Sequence, residues 1–519
     1  MRKLVTGAVA VSLAVVLLSP GTATAVEDIN TRKLRDAVTI NGILQHERAF
    51  QRIANNNGGT RASGTPGYTA SADYVVNRLK RAGYTVTRQK FTFPFFRELT
   101  PSSLSRVTPT PAETFPTETP EYSGSGDVTG RLYSVIDNQV PPTGPSPGGS
   151  TAGCEASDFP TAPAEQAAIL IQRGTCTFEI KATNAVAAGY DAVVIFNEGN
   201  TPERSGPLGP VTLGIPFDIP VVDTTYAAGA ELYGNVQAGN TTVNVTTSTE
   251  TDLEAETENI LADTPKGKQG TTVVVGAHLD SVLEGPGIND NGSGSSTILE
   301  IAEEMANLGY TKKGKLQRQV RFAFWGAEEN NLLGSEHYVE SLNNDQLGKI
   351  YANLNFDMVG SPNYVRFVYD GDGSDAGPDG EPGPPGSAQI EQIFTSYFAS
   401  KSLPTEPTEF DGRSDYGPFI AVGIPAGGLF TGAEGIKTEA QAAIYGGTAG
   451  VAYDPCYHQA CDTINNLSTK ALGEMGDAAA HATLTLAKSK KGFFEDGSRQ
   501  TQSKTAKDSL KSRGHIANR

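Results

Sequence analysis

Five side chains of metal-ligating type stand in order through the C-terminal half of the chain: His278, Asp290, Glu329, Asp357 and His458. Each falls where a strand-like run breaks into a loop or a helix. A further carboxylate, Glu328, lies directly beside Glu329. Two imidazoles and three carboxylates suit a pair of zinc-like dications, provided one carboxylate bridges both and each ion also takes a terminal His and a terminal carboxylate. Glu328 is then left over, and hydrolysis needs a spare carboxylate beside the metals as a general base. The pattern points to a two-metal hydrolase.

The elements that must position these groups are legible around them. Thr271-Thr-Val-Val-Val-Gly276 is a β-branched run that reads as a buried strand, and Ala277-His278-Leu279-Asp280-Ser281 follows at its end. Open α/β sheets place their chemistry at the carboxyl ends of strands. Asp280, two residues past His278, is placed to accept the second imidazole N–H and orient the ring. The glycine-rich turn Gly287-Ile-Asn-Asp290-Asn-Gly-Ser-Gly294 carries a carboxylate suited to bridging two cations, and the spacing predicts a helix over 295–308 after it. Val320–Trp325 reads as another strand, ending in Gly326-Ala327-Glu328-Glu329, and 354–356 repeats the theme with Asp357. A single His or Asp at a strand end is ordinarily structural, and two adjacent glutamates are ordinarily a solvated pair. Five candidates in series, each at a strand end or turn, outweigh that reading. His46, His337, His481 and His515 lack such contexts and read as surface or helix-packing residues.

The series A-H-L-D-S (277–281), G-I-N-D-N-G-S-G (287–294), W-G-A-E-E (325–329), N-F-D-M-V-G (355–360) and C-Y-H-Q-A-C-D (456–462) resembles the secreted aminopeptidases with two co-catalytic zinc ions. The likeness covers roughly residues 35–100 and 255–485. It implies that His278 and Asp357 bind one zinc, Glu329 and His458 the other, and Asp290 bridges them. It also implies Glu328 as general base, Tyr457 as the donor that stabilises the tetrahedral intermediate, and a cis peptide at Asp290-Asn291. Many relatives carry a second Asp at position 291, a departure expected to change little. Phe410–Tyr416 is similar to a segment lining the family's substrate pocket, where Arg413 would hold a backbone carbonyl or form an ion pair. The implied fold is an α/β three-layer sandwich with a mixed, mostly parallel central sheet, the phosphorylase/hydrolase-like zinc exopeptidase fold. The implied reaction removes the N-terminal residue, large and hydrophobic by the family's usual preference, from peptide or protein substrates.

The remaining features fit an exported enzyme. Arg2-Lys3, an apolar stretch from Leu4 to Leu18 and Ala23-Thr24-Ala25 read as a signal peptide over residues 1–25. No later stretch is long enough to span a membrane. Four cysteines in such a protein suggest two disulfides. Three pairings are formally possible; Cys154–Cys176 and Cys456–Cys461 are favoured because each pair lies in one local segment. The second would hold Tyr457 and His458 in place. The net charge of −17 argues against a nucleic-acid partner, and a monomer is expected.

Two helices are predicted over 39–55 and 69–82, then an edge strand over 84–93. The Pro/Thr/Ser-rich stretch 100–121 marks a boundary. The peptidase domain is thus divided into 26–105 and 251–487 by a β-rich insert over 106–250, with short strands at 168–172, 192–197, 221–223 and 242–246 and a helix at 179–188. Its segment R-G-T-C-T-F-E-I-K-A-T-N-A-V-A-A-G-Y-D-A-V-V-I-F-N (173–197) resembles the protease-associated domain, which implies a cover for the site, a substrate contact or a spacer. Residues 488–519 are polar and lysine-rich and read as a disordered tail. Asp370-Gly-Asp-Gly-Ser-Asp375, with Glu381 twelfth, partly mimics a calcium loop. The sixth position is Asp375 where such a loop needs Gly, and Pro382, Pro384 and Pro385 oppose a following helix, so an acidic loop is the better reading than a Ca2+ site. Two rival functions stay open at this level. A carboxypeptidase or dipeptidase of the same superfamily would need a cationic group for a C-terminal carboxylate, and only Arg413 offers one. A non-catalytic, receptor-like binding protein would not need the full ligand set.

Overall fold

The computed structural model describes residues 27–144, 148–209, 211–375 and 382–493. The expected signal peptide, Glu381 and the segment 494–519 lie outside the described residues. At the centre is a parallel block of Gln319–Trp325, Thr272–His278, Ile350–Phe356 and Ala426–Phe430, in that spatial order. Phe367–Tyr369 adds antiparallel beyond Ala426–Phe430, and Thr242–Asp263 adds antiparallel on the other side. Strands buried on both faces read as unbroken apolar runs, and Val273, Val274, Val275 and Ala277 are all fully buried. Their alternation feeds two cores. Val273, Val275 and Ala277 pack with residues of the helices Ile40–Asn56, Pro66–Arg81, Gly294–Asn307 and Thr469–Lys488. Val274 faces the opposite layer, where Trp325, Tyr338 and Phe419 meet. The three-layer α/β sandwich follows from that two-sided burial.

Helix starts agree with their caps. Thr39 accepts from the Gly42 N–H at 3.1 Å, opening Ile40–Asn56. The next helix begins earlier than its periodicity suggests, because Thr65 caps it and Pro66 occupies the first turn.

The insert differs from its sequence reading in two respects. Thr85–Thr108 is one strand that pairs antiparallel with Thr242–Asp263 from Thr85↔Asp263 to Thr108↔Thr242, so the boundary stretch begins as ladder and, among the described residues, the sheet is continuous over 14 strands. Long-range pairing overrides the Pro/Ser/Thr composition there. The β-rich insert also carries a helix beyond the expected one. Gly126–Ser134, Ala167–Gln172, Ala192–Phe196 and Val221–Thr224 run parallel, with helices Phe178–Ala187 and Tyr226–Ala238. The second helix escapes a sequence reading because Gly229 and Gly234 interrupt it. Gly229 sits where a Cβ would be 2.1 Å from the Phe196 ring, which is why the helix packs so closely on the sheet. At the C-terminus Phe493 is buried and stacks on Tyr351 at 4.4 Å, so residues 488–493 belong to the packed domain.

Candidate active site

Parallel strands in register bring their carboxyl ends to one edge, and the ligand-type residues sit along it. Trp325 pairs with His278 and Asn355 with Gly276, which aligns His278 with Glu328-Glu329 and with Asp357. Asp290 reaches the same edge from the loop that opens Gly294–Asn307, and His458 from the disulfide loop Cys456–Cys461. Both expected disulfides are present, and Asp290-Asn291 is cis.

The five groups converge. His278 Nε2 is 3.2 Å from Asp290 Oδ1 and 3.2 Å from Asp357 Oδ1. His458 Nε2 is 3.2 Å from Asp290 Oδ2 and 3.1 Å from Glu329 Oε2. Asp290 therefore turns one oxygen to each imidazole. Glu328 is buried, with Oε2 3.8 Å from His278 Nε2. His278 Nδ1 lies 3.3 Å from the Asp280 carbonyl and 3.6 Å from its carboxylate, which accepts from the Glu328 N–H at 3.3 Å. Tyr457 stacks on the His458 ring at 3.9 Å, and its hydroxyl accepts from Arg413 at 3.2 Å. Arg413 also pairs with Glu434 at 2.7 Å.

The donor set fits divalent zinc. Two ligands of one tetrahedral ion with bonds of about 2.0–2.1 Å stand about 3.3 Å apart, and the four His–carboxylate spans match that edge. Charge gives the same answer. Asp280, Asp290, Glu328, Glu329, Asp357 and Asp415 crowd two imidazoles in a largely buried space. Burial works against a charge on His278, yet Glu328 and Asp357 hold it well above the usual histidine range. Burial likewise opposes His458, but Asp290 and Glu329 raise it to about 10. Burial lifts Glu328 far above the carboxylate range and, with Asp290 beside it, pushes Glu329 up to about 7. Such an excess of buried carboxylate calls for cations.

Several supporting residues were not singled out from the sequence. Ser414 donates to Asp357 Oδ2 at 2.6 Å and accepts from Asn355 at 2.8 Å. Asp462 accepts from the Asn289 and Asp290 N–H groups at 2.9 and 3.0 Å. Buried Arg61 donates to the carbonyls of Leu279, Pro286 and Gly287, tying two site loops together. Asn291 is more than a neutral departure: its amide donates to the Phe356 carbonyl at 2.9 Å and accepts from Gly294 and Met358 N–H groups, and a carboxylate could not make the first bond unless protonated. Gly294 permits this closeness, since a Cβ there would lie 2.1 Å from Phe356 O. The cleft beside these groups has Met358, Tyr369, Phe430 and Ala433 among its walls. The acidic loop at Asp370 spends its carboxylate on its own turn, accepting from Gly373, Ser374 and Asp375 N–H groups.

The sequence matches Peptidase family M28 over residues 259–483 and the PA domain over residues 128–232. An aminopeptidase of Pseudomonas aeruginosa is 47% identical over 459 residues, 86% of this chain and 81% of its own length. The probable lipoprotein aminopeptidase LpqL of Mycobacterium tuberculosis is 42% identical over 453 residues, 86% of this chain and 85% of its own. The probable leucine aminopeptidase 2 of Aspergillus fumigatus is 38% identical over 432 residues, 83% and 79% respectively. Among solved structures, BSAP, a zinc aminopeptidase from Bacillus subtilis, shares the fold with a TM-score of 0.59 at 25% identity, over 89% of this chain and 98% of that one. Fold, site chemistry and relatives together define a metal-dependent exopeptidase. The chain belongs to peptidase family M28, as a zinc-dependent aminopeptidase carrying a PA domain. The carboxypeptidase and receptor readings fall away.

Proposed function

We propose that this aminopeptidase works through two zinc sites that share Asp290, with His278 and Asp357 completing one and Glu329 and His458 the other. The observation that carries the reading is Asp290 itself, whose two oxygens face two different imidazoles at 3.2 Å each. Zinc, when bound, supplies the Lewis acidity that makes a water acidic near neutrality and polarises the scissile carbonyl. Glu328 has no place in either ligand set, so it takes the proton of the attacking water and returns it to the leaving amine. Tyr457 O–H donates to the developing oxyanion, and Arg413 holds that hydroxyl in position. Asp280 orients His278. The substrate's α-ammonium is recognised by the acidic groups, Glu328 or Asp357. The apolar wall of Met358, Tyr369, Phe430 and Ala433 suits a large hydrophobic first residue, in keeping with the leucine aminopeptidase among the relatives.

The same reading divides the chain into signal peptide, a peptidase domain split by the PA insert, and a C-terminal tail, and makes the enzyme a secreted monomer. No described helix is long and apolar enough to cross a membrane. The test is direct. Purified enzyme should hold two zinc ions and lose activity to a chelator, and His458→Ala should lose one ion and most turnover. Peptides with a free N-terminus should be cleaved and N-acetylated ones spared. Cleavage of N-acetylated but not C-amidated peptides would overturn the direction of attack, and unchanged zinc content in His458→Ala would remove His458 from the ligand set.

A further inference from the structure

A second cluster of ligand-type side chains lies where the helices Ile40–Asn56, Pro66–Arg81 and Gly294–Asn307 meet, outside the active-site ligand set. His46, Glu300 and Glu303 bring one donor atom each to within 4.8 Å of one another. His46 is fully buried, and its Nε2 has no hydrogen-bond partner. The ring is held from its other side, where Nδ1 is 2.8 Å from the Tyr74 hydroxyl, the arrangement that orients metal-binding histidines. Nε2 points at Glu300 Oε2, 3.5 Å away, and Glu303 Oε2, 3.8 Å away. These spans are long for hydrogen bonds. They are close to the roughly 3.3 Å that separates neighbouring ligands of one small dication with bonds of about 2.0–2.1 Å.

Charge and packing favour a cation there. Arg78 takes both oxygens of Glu303 and reaches neither oxygen of Glu300. Each Glu303 oxygen keeps a second lone pair. Gly42 lies against Glu300: a Cβ would stand 1.8 Å from Glu300 Oε1, so only glycine lets that carboxylate fold in toward His46. Gly42 stands in the first turn of its helix, and the absence of a side chain there is explained by the space Glu300 occupies.

We propose that His46, Glu300 and Glu303 form a structural site for a divalent transition-metal ion, zinc by its one imidazole and two carboxylates. The ion would join the helix Ile40–Asn56 to the helix Gly294–Asn307, whose first turn abuts Asn291 beside the bridging Asp290. The proposal uses none of the active-site assignments.

The test uses the full-length enzyme with Zn2+ alone as probe. Anomalous difference maps from zinc-soaked crystals should show a peak about 2.0–2.2 Å from His46 Nε2. Glu300→Gln should bind one zinc fewer than wild type by elemental analysis, with kcat/KM on an aminoacyl chromogenic substrate unchanged. Peaks in the active site with none at His46, or equal zinc in wild type and Glu300→Gln, would show a plain ion pair and overturn the proposal. The map on wild-type protein decides the matter even if the variant fails to fold. A peak at His46 with an empty active site would support this site while sinking the two-zinc catalytic reading.

Discussion

Substituting Gln at two adjacent positions should separate catalysis from metal binding. Glu328→Gln preserves shape, and the backbone N–H bond to Asp280 that sets the turn is untouched. Each proposed site already has its histidine, its own carboxylate and a share of Asp290, which leaves Glu328 outside both ligand sets. Zinc content should therefore remain at the wild-type value. What is lost is the proton acceptor, a loss of about 10²–10⁴ in kcat, or roughly 2.7–5.4 kcal/mol at 1.36 kcal/mol per decade. Glu329→Gln removes a charged ligand 3.1 Å from His458 Nε2. Its effect on zinc affinity should exceed the roughly 10–100-fold that changes outside the ligand set typically cost. Elemental analysis after gel filtration and turnover of an aminoacyl chromogenic substrate measure both. Added zinc should restore part of the activity of Glu329→Gln and none of that of Glu328→Gln. If Glu328→Gln lost zinc while Glu329→Gln kept it, base and ligand would be exchanged; if both kept zinc and rate, the mechanism would be wrong.

Tyr457→Phe should lower kcat by about 10²–10³ with KM little changed, the usual cost of one oxyanion donor. Arg413→Leu should cost less, about tenfold, because it removes only the group that holds the Tyr457 hydroxyl; a larger loss than in Tyr457→Phe would give Arg413 its own substrate contact. Replacing Cys456 and Cys461 by Ser opens a short loop, so stability should fall by only about 2 kcal/mol, while turnover falls more steeply because Tyr457 and His458 ride on that loop. Burial pushes the Asp223 carboxyl of the insert up to about 7, partly opposed by the Leu208 N–H. The folded chain then keeps a proton that the unfolded chain has lost, so the stability Asp223 contributes at about pH 4 and below is lost as pH rises through about 7. Asp223→Asn should melt higher than wild type at pH 8 and no higher at pH 4; the opposite order would contradict this account.

The catalytic half was largely legible in the sequence. Its strands are buried on both faces, so Val273–Val275 and Phe322–Trp325 stand out as apolar runs, and the reactive groups sit just past their ends. The insert was less so. The strand Thr85–Thr108 continues through residues of weak strand preference because it pairs along its length with Thr242–Asp263, and helix Tyr226–Ala238 forms despite two glycines because its face packs on Phe196 and Leu232 joins the same core.

By itself the sequence determined the residue types at the site, their order and the strand ends that carry them. Which oxygen of Asp290 faces which histidine was decided only in three dimensions. So was the support of Asp357 by Ser414, 57 positions away, and of the Asp290 loop by Asp462 and Arg61, 172 and 226 positions from their partners. Serine, aspartate and arginine are common in loops, and nothing local marks these three. Their roles arise because parallel strands in register and the helices packed on them bring distant backbone within hydrogen-bonding reach. A directional bond depends on positions and angles that packing alone sets.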